Sequence, residues 1–265
     1  MVTIVKKGIL LVSLGKVDKG ARRENIEVVE NKIRGVFNNY EVRSSFTSNQ
    51  VIEKLRKEEN ILIDNPDNAL LKMKDEGFQE VVIQPLQIIP GIEYEKVQKS
   101  YNENINSFKK IGLGKPVLYD IKSYKEAVSS LKSQLPKMKD NSAIVIVGHG
   151  TNHPSNACYS CLQSVINDEK LDIYVGTLGG YPNIDNVLQK LKDNRIEEIT
   201  LMPYLLVTGN HVKNDIFSDN VHSWKTIIEK EGIIVNSYIH GLTENVDYQN
   251  IFVNRIKETI QTLNC

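Results

Sequence analysis

Three side chains stand out by type and setting: His149 in IVIVGHGT, His211 in VTGNHVKND and Glu93 in IIPGIEYEKV. Two neutral imidazoles with one carboxylate form a borderline-to-hard donor set that suits divalent Co, Ni, Fe or Zn, and ligand type alone does not choose among them. The same groups suit general acid–base work, because an imidazole with an unperturbed pKa of about 6.5 exchanges protons near neutral pH. Each also has an ordinary structural use. A histidine at a strand end can simply satisfy polar groups, and a carboxylate in the first turn of a helix is stabilised by the helix dipole, about 0.3–1 kcal/mol.

What singles these residues out is a duplication. Residues 65–97 (NPDNALLKMKDEGFQEVVIQPLQIIPGIEYEKV) align without a gap on residues 183–215 (NIDNVLQKLKDNRIEEITLMPYLLVTGNHVKND) at an offset of 118. Asn65/Asn183, Asp67/Asp185, Asn68/Asn186, Asp75/Asp193, Glu80/Glu198, Pro85/Pro203 and Gly91/Gly209 match, and Glu93 falls opposite His211. Upstream, GILLVSLG (8–15) resembles AIVIVGHG (143–150), which sets Leu14 opposite His149. The turn itself therefore does not require an imidazole at 149. If the copies face each other across a cleft, the histidines and the glutamate come from equivalent strand ends.

The elements that must position them follow from the hydrophobic pattern. The two continuous apolar runs ending in glycine turns suit strands buried on both faces of a parallel sheet. In open α/β sheets, ligands bind at the carboxyl edge of the strands. Residues 22–38 place Ile26, Val29, Ile33 and Phe37 at helical spacing, and Ser48 suits the cap of a short helix over 48–57. Matching helices are expected at 67–76 and 185–193, each leading into a strand (EVVIQPL, EITLMPYLLV), with amphipathic helices at 123–138 and 247–262 and further strands at 173–178 and 233–239. The order reads β-α-β-α-β-α, repeated twice. It predicts an α/β fold of two similar lobes, each a parallel sheet flanked by helices, with lobes at 1–136 and 137–265 and a linker in KMKDNS at 137–142.

Composition bounds the rest. The chain has 265 residues, 40% of them hydrophobic and 25% charged, with 33 basic and 33 acidic side chains. That balance argues against binding nucleic acid through bulk charge, while leaving room for a local basic pocket. Three cysteines (Cys158, Cys161, Cys265) provide no disulfide framework and point to a reducing, cytoplasmic setting. The N-terminal apolar run is short and followed by KVDKGARRE, so it reads as a first strand, and no run approaches the roughly 18 residues of a membrane span. A homo-oligomer remains open. The single CxxC of Cys158 and Cys161 reads as two small buried groups on one helix face. His153, His222 and His240 lack partner motifs, Trp224 reads as a packing residue, and no phosphate-binding glycine motif occurs.

The chain resembles the class II tetrapyrrole chelatases, and among them the anaerobic cobaltochelatases of cobalamin synthesis that act on sirohydrochlorin. The resemblance covers nearly the whole chain. It rests on LLVSLG, SSFTS (44–48), GIEYEKV (91–97), VGHGT (147–151), GYP (180–182), LMPYLLVTGNHVKND (201–215) and HSW (222–224). It implies insertion of a divalent ion, Co²⁺ foremost, into sirohydrochlorin. It places metal ligands at His149, His211 and Glu93, a pyrrole-proton acceptor at His149 and catalytic roles for His149 and Glu93. Substrate contacts would fall on Ser13, Leu14, Gly15, Lys16, Tyr94, Gly148 and Asn210. Lys16, Arg22 and Lys213 are candidates for the substrate's carboxylates. No cofactor beyond the substrate metal is implied, and no membrane partner. Two departures are visible: SLGK stands where the family usually has SFGT, and Gly179 stands where it often has a glutamate. The alternatives are iron or nickel insertion into the same tetrapyrrole, a non-catalytic tetrapyrrole or metal carrier, and a metal-independent acid–base enzyme.

Overall fold

The structure, a computed structural model, describes residues 5–15, 26–137, 139–209 and 213–265. The chain divides into two compact units, Met1–Val117 with Gln249–Cys265, and Leu118–Tyr248. The sequence suggested a division at 136/137. The difference lies in which side chains each segment buries. Tyr248 donates its hydroxyl to the Ala127 carbonyl within the second unit (2.9 Å). In the first unit, Thr259 and Leu263 pack over Gly112, and Lys110 donates to Asn264 (2.8 Å).

In the first unit, β1 (Lys7–Ser13), α1 (Glu27–Val36), β2 (Glu41–Phe46), α2 (Asn49–Glu59), α3 (Pro66–Asp75), β3 (Glu80–Pro85), α4 (Ile92–Asn104) and β4 (Lys110–Leu113) alternate along the chain. The sheet order is β2-β1-β3-β4, with every pairing parallel. β1 is central and buried on both faces, which is why its sequence is continuously apolar. Leu10 and Val12 join Leu70, Met73, Val81 and Val97 in one cluster, while Ile9 and Leu11 are equally inaccessible on the other side.

The second unit holds α5 (Ile121–Lys132), β5 (Ser142–Gly148), α6 (Ala157–Asp168), β6 (Ile173–Thr177), α7 (Ile184–Asp193), β7 (Glu198–Pro203), α8 (Trp224–Lys230) and β8 (Ile234–Ser237). A helix α9 (Val246–Leu263) ends the chain. The sheet order β6-β5-β7-β8 repeats that of the first unit, and Ser142↔Glu198 repeats the register of Lys7↔Glu80. In the second sheet all four strands fall on segments expected to be strands, β8 within 233–239, whereas β2 and β4 of the first sheet were not assigned from the sequence. β4 and β8 are four residues each, and β8 is largely exposed, so neither shows a long apolar run.

The duplication extends to the caps. Asn65 opens α3 by accepting from Asn68 N (2.9 Å), and Asn183 opens α7 by accepting from Asn186 N (3.1 Å). After α3 and α7 the backbone turns left-handed at aligned positions, Gly77 (φ +80°) and Arg195 (φ +53°). Ser48 caps α2 as expected, accepting from Val51 N. α4 lies where no helical pattern was assigned, while α6 carries the helix face expected for Cys158 and Cys161. Among the described residues no helix is long and apolar enough to cross a membrane.

Candidate functional site

The two central strands end in equivalent loops. Thr47 N donates to Ser13 O (2.9 Å) and Ser48 N to Leu14 O (3.3 Å) in the first unit. In the second, Leu178 N donates to Gly148 O (3.0 Å) and Gly179 N to His149 O (2.8 Å). Backbone pairing therefore makes Leu14 and His149 counterparts, as the sequence alignment did. Both side chains are exposed.

His149 presents Nδ1 to Gly150 O at 3.0 Å. A carbonyl only accepts, so in the neutral ring Nδ1 carries the hydrogen and Nε2 the lone pair. Nε2 is then the atom able to bind a metal ion or take a proton. The flanking glycines serve packing. Gly148 lies against the buried Tyr159 ring, which would meet a Cβ at 2.2 Å. Gly150 has φ +72° and lies against Thr177, Gly179 and Gly180, with contacts of 2.8–2.9 Å to an added Cβ. Burial pushes the Tyr159 phenol up to about 12, so it stays protonated and hydrogen bonded to this loop's backbone.

Glu93 sits in the first turn of α4, where a carboxylate faces the positive end of the helix. Its Oε1 accepts from Lys96 Nζ (2.8 Å), and its Oε2 takes a short hydrogen bond from the Thr47 hydroxyl. The carboxylate lines a cavity of about 530 Å³ with Leu14, Thr47, Asn49, Lys96 and Lys99. Of the other expected contacts, Ser13 is buried at the end of β1, and Gly15 (φ +91°) lies against the Phe46 ring. Tyr94 is only 4% exposed. Gly148 is buried, and Lys213 is exposed at the start of a π-helical turn, Lys213–Phe217. Asn210, His211, Lys16 and Arg22 lie outside the described residues. Among the described residues no group of three His, Cys, Asp or Glu side chains is placed to hold a metal ion.

Two residues with no role in the sequence reading touch Glu93. Lys96 was legible as an i,i+3 partner once residues 92–104 were read as a helix. Thr47 lies in the SSFTS segment but 46 residues from Glu93, and only the fold brings it near. Cys158 and Cys161 are free and only partly buried, rather than fully buried. They stand in the first turns of α6, within hydrogen-bonding reach of the Tyr124 hydroxyl, and burial pushes the Cys158 thiol up. His153 caps a 3₁₀ turn, and His240 pairs with Glu244 (2.7 Å).

Two parallel four-stranded sheets flanked by helices, with equivalent loops at the ends of the central strands, define a chelatase-like fold. SirB from Bacillus subtilis with Fe³⁺ superimposes with a TM-score of 0.66 at 19% identity, covering 96% of each chain. DR2241 from Deinococcus radiodurans, described as similar to chelatases with two additional domains, gives 0.64 at 11% identity, covering 96% of this chain and 55% of that one. The family model described as "Cobalt chelatase (CbiK)" matches residues 7–261, and the chain belongs to that family. The sirohydrochlorin cobaltochelatase of Salmonella typhimurium is 32% identical over 256 residues, covering 97% of each chain. Sirohydrochlorin cobaltochelatase CbiKC of Nitratidesulfovibrio vulgaris is 27% identical over 267 residues, covering 98% of this chain and 93% of the relative.

Proposed function

We propose that the protein inserts Co²⁺ into sirohydrochlorin, the step that supplies a cobalt-bearing tetrapyrrole to anaerobic cobalamin formation. The observation that carries this reading is membership of the cobalt chelatase family across residues 7–261. Both the metal ion and the macrocycle are substrates. For each divalent ion inserted, two pyrrole N–H protons leave as the ring nitrogens take the metal.

Three demands follow, and the chain has groups suited to each. The ion must shed water onto protein ligands that release it again. His149 Nε2, Glu93 and His211 are the proposed ligands, since imidazole and carboxylate bind divalent cobalt without the permanence of thiolates. The protons need an acceptor that works near neutral pH, and His149 offers a lone pair at Nε2 once Nδ1 is engaged by Gly150. The macrocycle must be bent so that its nitrogens point at the incoming ion, and such distortion contributes about 1–5 kcal/mol in enzymes that use it. The loops carrying Leu14 and His149 at the strand ends are the proposed contacts.

The test is anaerobic insertion of Co²⁺, Fe²⁺ and Ni²⁺ into sirohydrochlorin, followed by absorbance. Wild type is compared with His149→Ala, His211→Ala and Glu93→Ala. Co²⁺ is expected to be fastest, and each histidine variant should lose roughly 100-fold or more, the scale of a lost acid–base group. No acceleration over the spontaneous reaction with any metal would refute the enzyme reading and leave a carrier. A faster Fe²⁺ or Ni²⁺ reaction would move the protein to a different tetrapyrrole product.

A further inference from the structure

The two oxygens of Glu93 are held unequally. Oε2 is tied to the sheet through Thr47, a residue 8% exposed whose backbone N–H is itself fixed on Ser13 O at the end of β1. The Thr47 hydroxyl has one hydrogen. Its other possible acceptor, Ser13 O, is 3.4 Å away, so the nearer carboxylate takes it. Among the described residues Oε1 is met only by the ammonium of Lys96, at 2.8 Å, from a side chain 49% exposed on the same helix. Glu93 itself is 29% exposed and faces the cavity. One oxygen is thus anchored by a short, buried hydroxyl, and the other by a solvated, flexible cation.

A divalent ion cannot share Oε1 with an ammonium at that distance without strong like-charge repulsion. The lysine stem has four carbons and can swing into water. We propose that Lys96 is a resident counter-ion of Glu93 that the incoming metal ion displaces, while Thr47 holds the carboxylate in position for the exchange. The step is a ligand substitution. The Oε1–metal bond forms, the Lys96–Oε1 ion pair breaks, and the ammonium keeps its proton and is hydrated. On release of the metal to the macrocycle, Lys96 returns. Without that competing ammonium the carboxylate would retain the ion more tightly, so the lysine favours hand-over at the expense of affinity. This rests on the reading of Glu93 as a metal ligand.

The test is anaerobic Co²⁺ titration of the full chain, by calorimetry and by cobalt absorbance, for Lys96→Met, Lys96→Arg, Thr47→Val, Thr47→Ser, Glu93→Gln and the Glu93→Gln/Lys96→Met pair. Lys96→Met should tighten Co²⁺ binding about three- to tenfold, the scale of a solvated ion pair plus the relieved repulsion. Lys96→Arg should stay near wild type, and the tightening should vanish in the Glu93→Gln background. Thr47→Val should weaken binding and Thr47→Ser restore it. Equal or weaker binding by Lys96→Met overturns the proposal, as does tightening that persists without Glu93 or a Glu93→Gln affinity equal to wild type. Insertion measured on the same wild-type sample judges the chelatase reading separately. A chelatase whose Co²⁺ affinity ignores Lys96 would keep its activity and lose this mechanism.

Discussion

Gly150 and Gly179 touch the same turn beside His149, yet substitution should affect them very differently. An alanine at 150 faces two costs. The backbone there is left-handed, φ +72°, which costs a residue with a Cβ about 1–2 kcal/mol. The Cβ would also sit 2.8 Å from Gly180 N, 2.8 Å from the Thr177 Cβ and 2.9 Å from the Gly179 carbonyl carbon, two of which are backbone. Overpacking of that kind costs about 1–3 kcal/mol. The loop has little room to yield, because Gly179 N is bonded to His149 O (2.8 Å), Leu178 N to Gly148 O (3.0 Å) and Thr151 N to Asn156 Oδ1 (3.0 Å). Gly150→Ala should therefore lose about 2–5 kcal/mol, with the midpoint falling roughly 2–4 °C for each kcal/mol in a chain of this size. Gly179→Ala meets only His149 O, at 3.5 Å, among the described residues and has no left-handed backbone. It should stay within about 0.5 kcal/mol of wild type. Urea unfolding followed by circular dichroism, with thermal melts alongside, decides the matter. Equal losses in the two variants, or less than about 1 kcal/mol for Gly150→Ala, would refute the claim that packing selects glycine at 150.

Tyr248→Phe should destabilise by about 1–3 kcal/mol in urea titration, because it removes the hydroxyl that donates to the Ala127 carbonyl (2.9 Å) and lies 3.2 Å from the buried Tyr204 hydroxyl. The Glu76 carboxyl is lowered to about 2, first by its hydrogen bond from Arg43. Its contribution is therefore fully present above the ordinary carboxylate value of 4.5 and lost as pH falls through about 2. The gap between wild type and Arg43→Met in urea midpoints should be constant at neutral pH and close in acid, and a gap that widens in acid would contradict this. Cys265 is exposed while burial raises the Cys158 thiol. A disulfide reagent at neutral pH should thus show its fastest phase disappear in Cys265→Ser and its slowest in Cys158→Ser.

The fold was legible where a physical requirement repeats. A strand buried on both faces must be apolar at every position, so β1 and β5 declare themselves. Helices α3 and α7 show because asparagine caps, apolar spacing and following strands recur at one offset. β2, buried at only three of its six positions, and the four-residue edge strand β4 carry no such requirement and passed unassigned, whereas β8 falls within the strand expected at 233–239. Helix α4 was hidden for another reason. Its buried positions, Tyr94, Val97 and Ser100, include only one aliphatic side chain, so the apolar spacing that marks a helix is missing, and only the structural use considered for Glu93, a first-turn carboxylate, hinted at it. Among the candidate residues, His149 and Glu93 were visible because their types break the symmetry of the duplication, whereas Thr47 meets Glu93 through a contact that no local pattern records.

That broken symmetry has a physical logic. In the first unit, a carboxylate at 93 has a hydroxyl at 47 for one oxygen and an ammonium at 96 for the other. Backbone pairing makes Leu178 the counterpart of Thr47, and the offset of 118 makes Asn214 the counterpart of Lys96. Leucine cannot donate a hydrogen bond and asparagine offers a neutral amide N–H in place of an ammonium, so the second copy lacks the charged partner that Glu93 has. An imidazole needs no such partner. It is neutral at the pH where it binds a metal ion, and one ring nitrogen is enough to do so. The two copies therefore differ at three positions together. Glutamate goes with threonine and lysine, and histidine with leucine and asparagine.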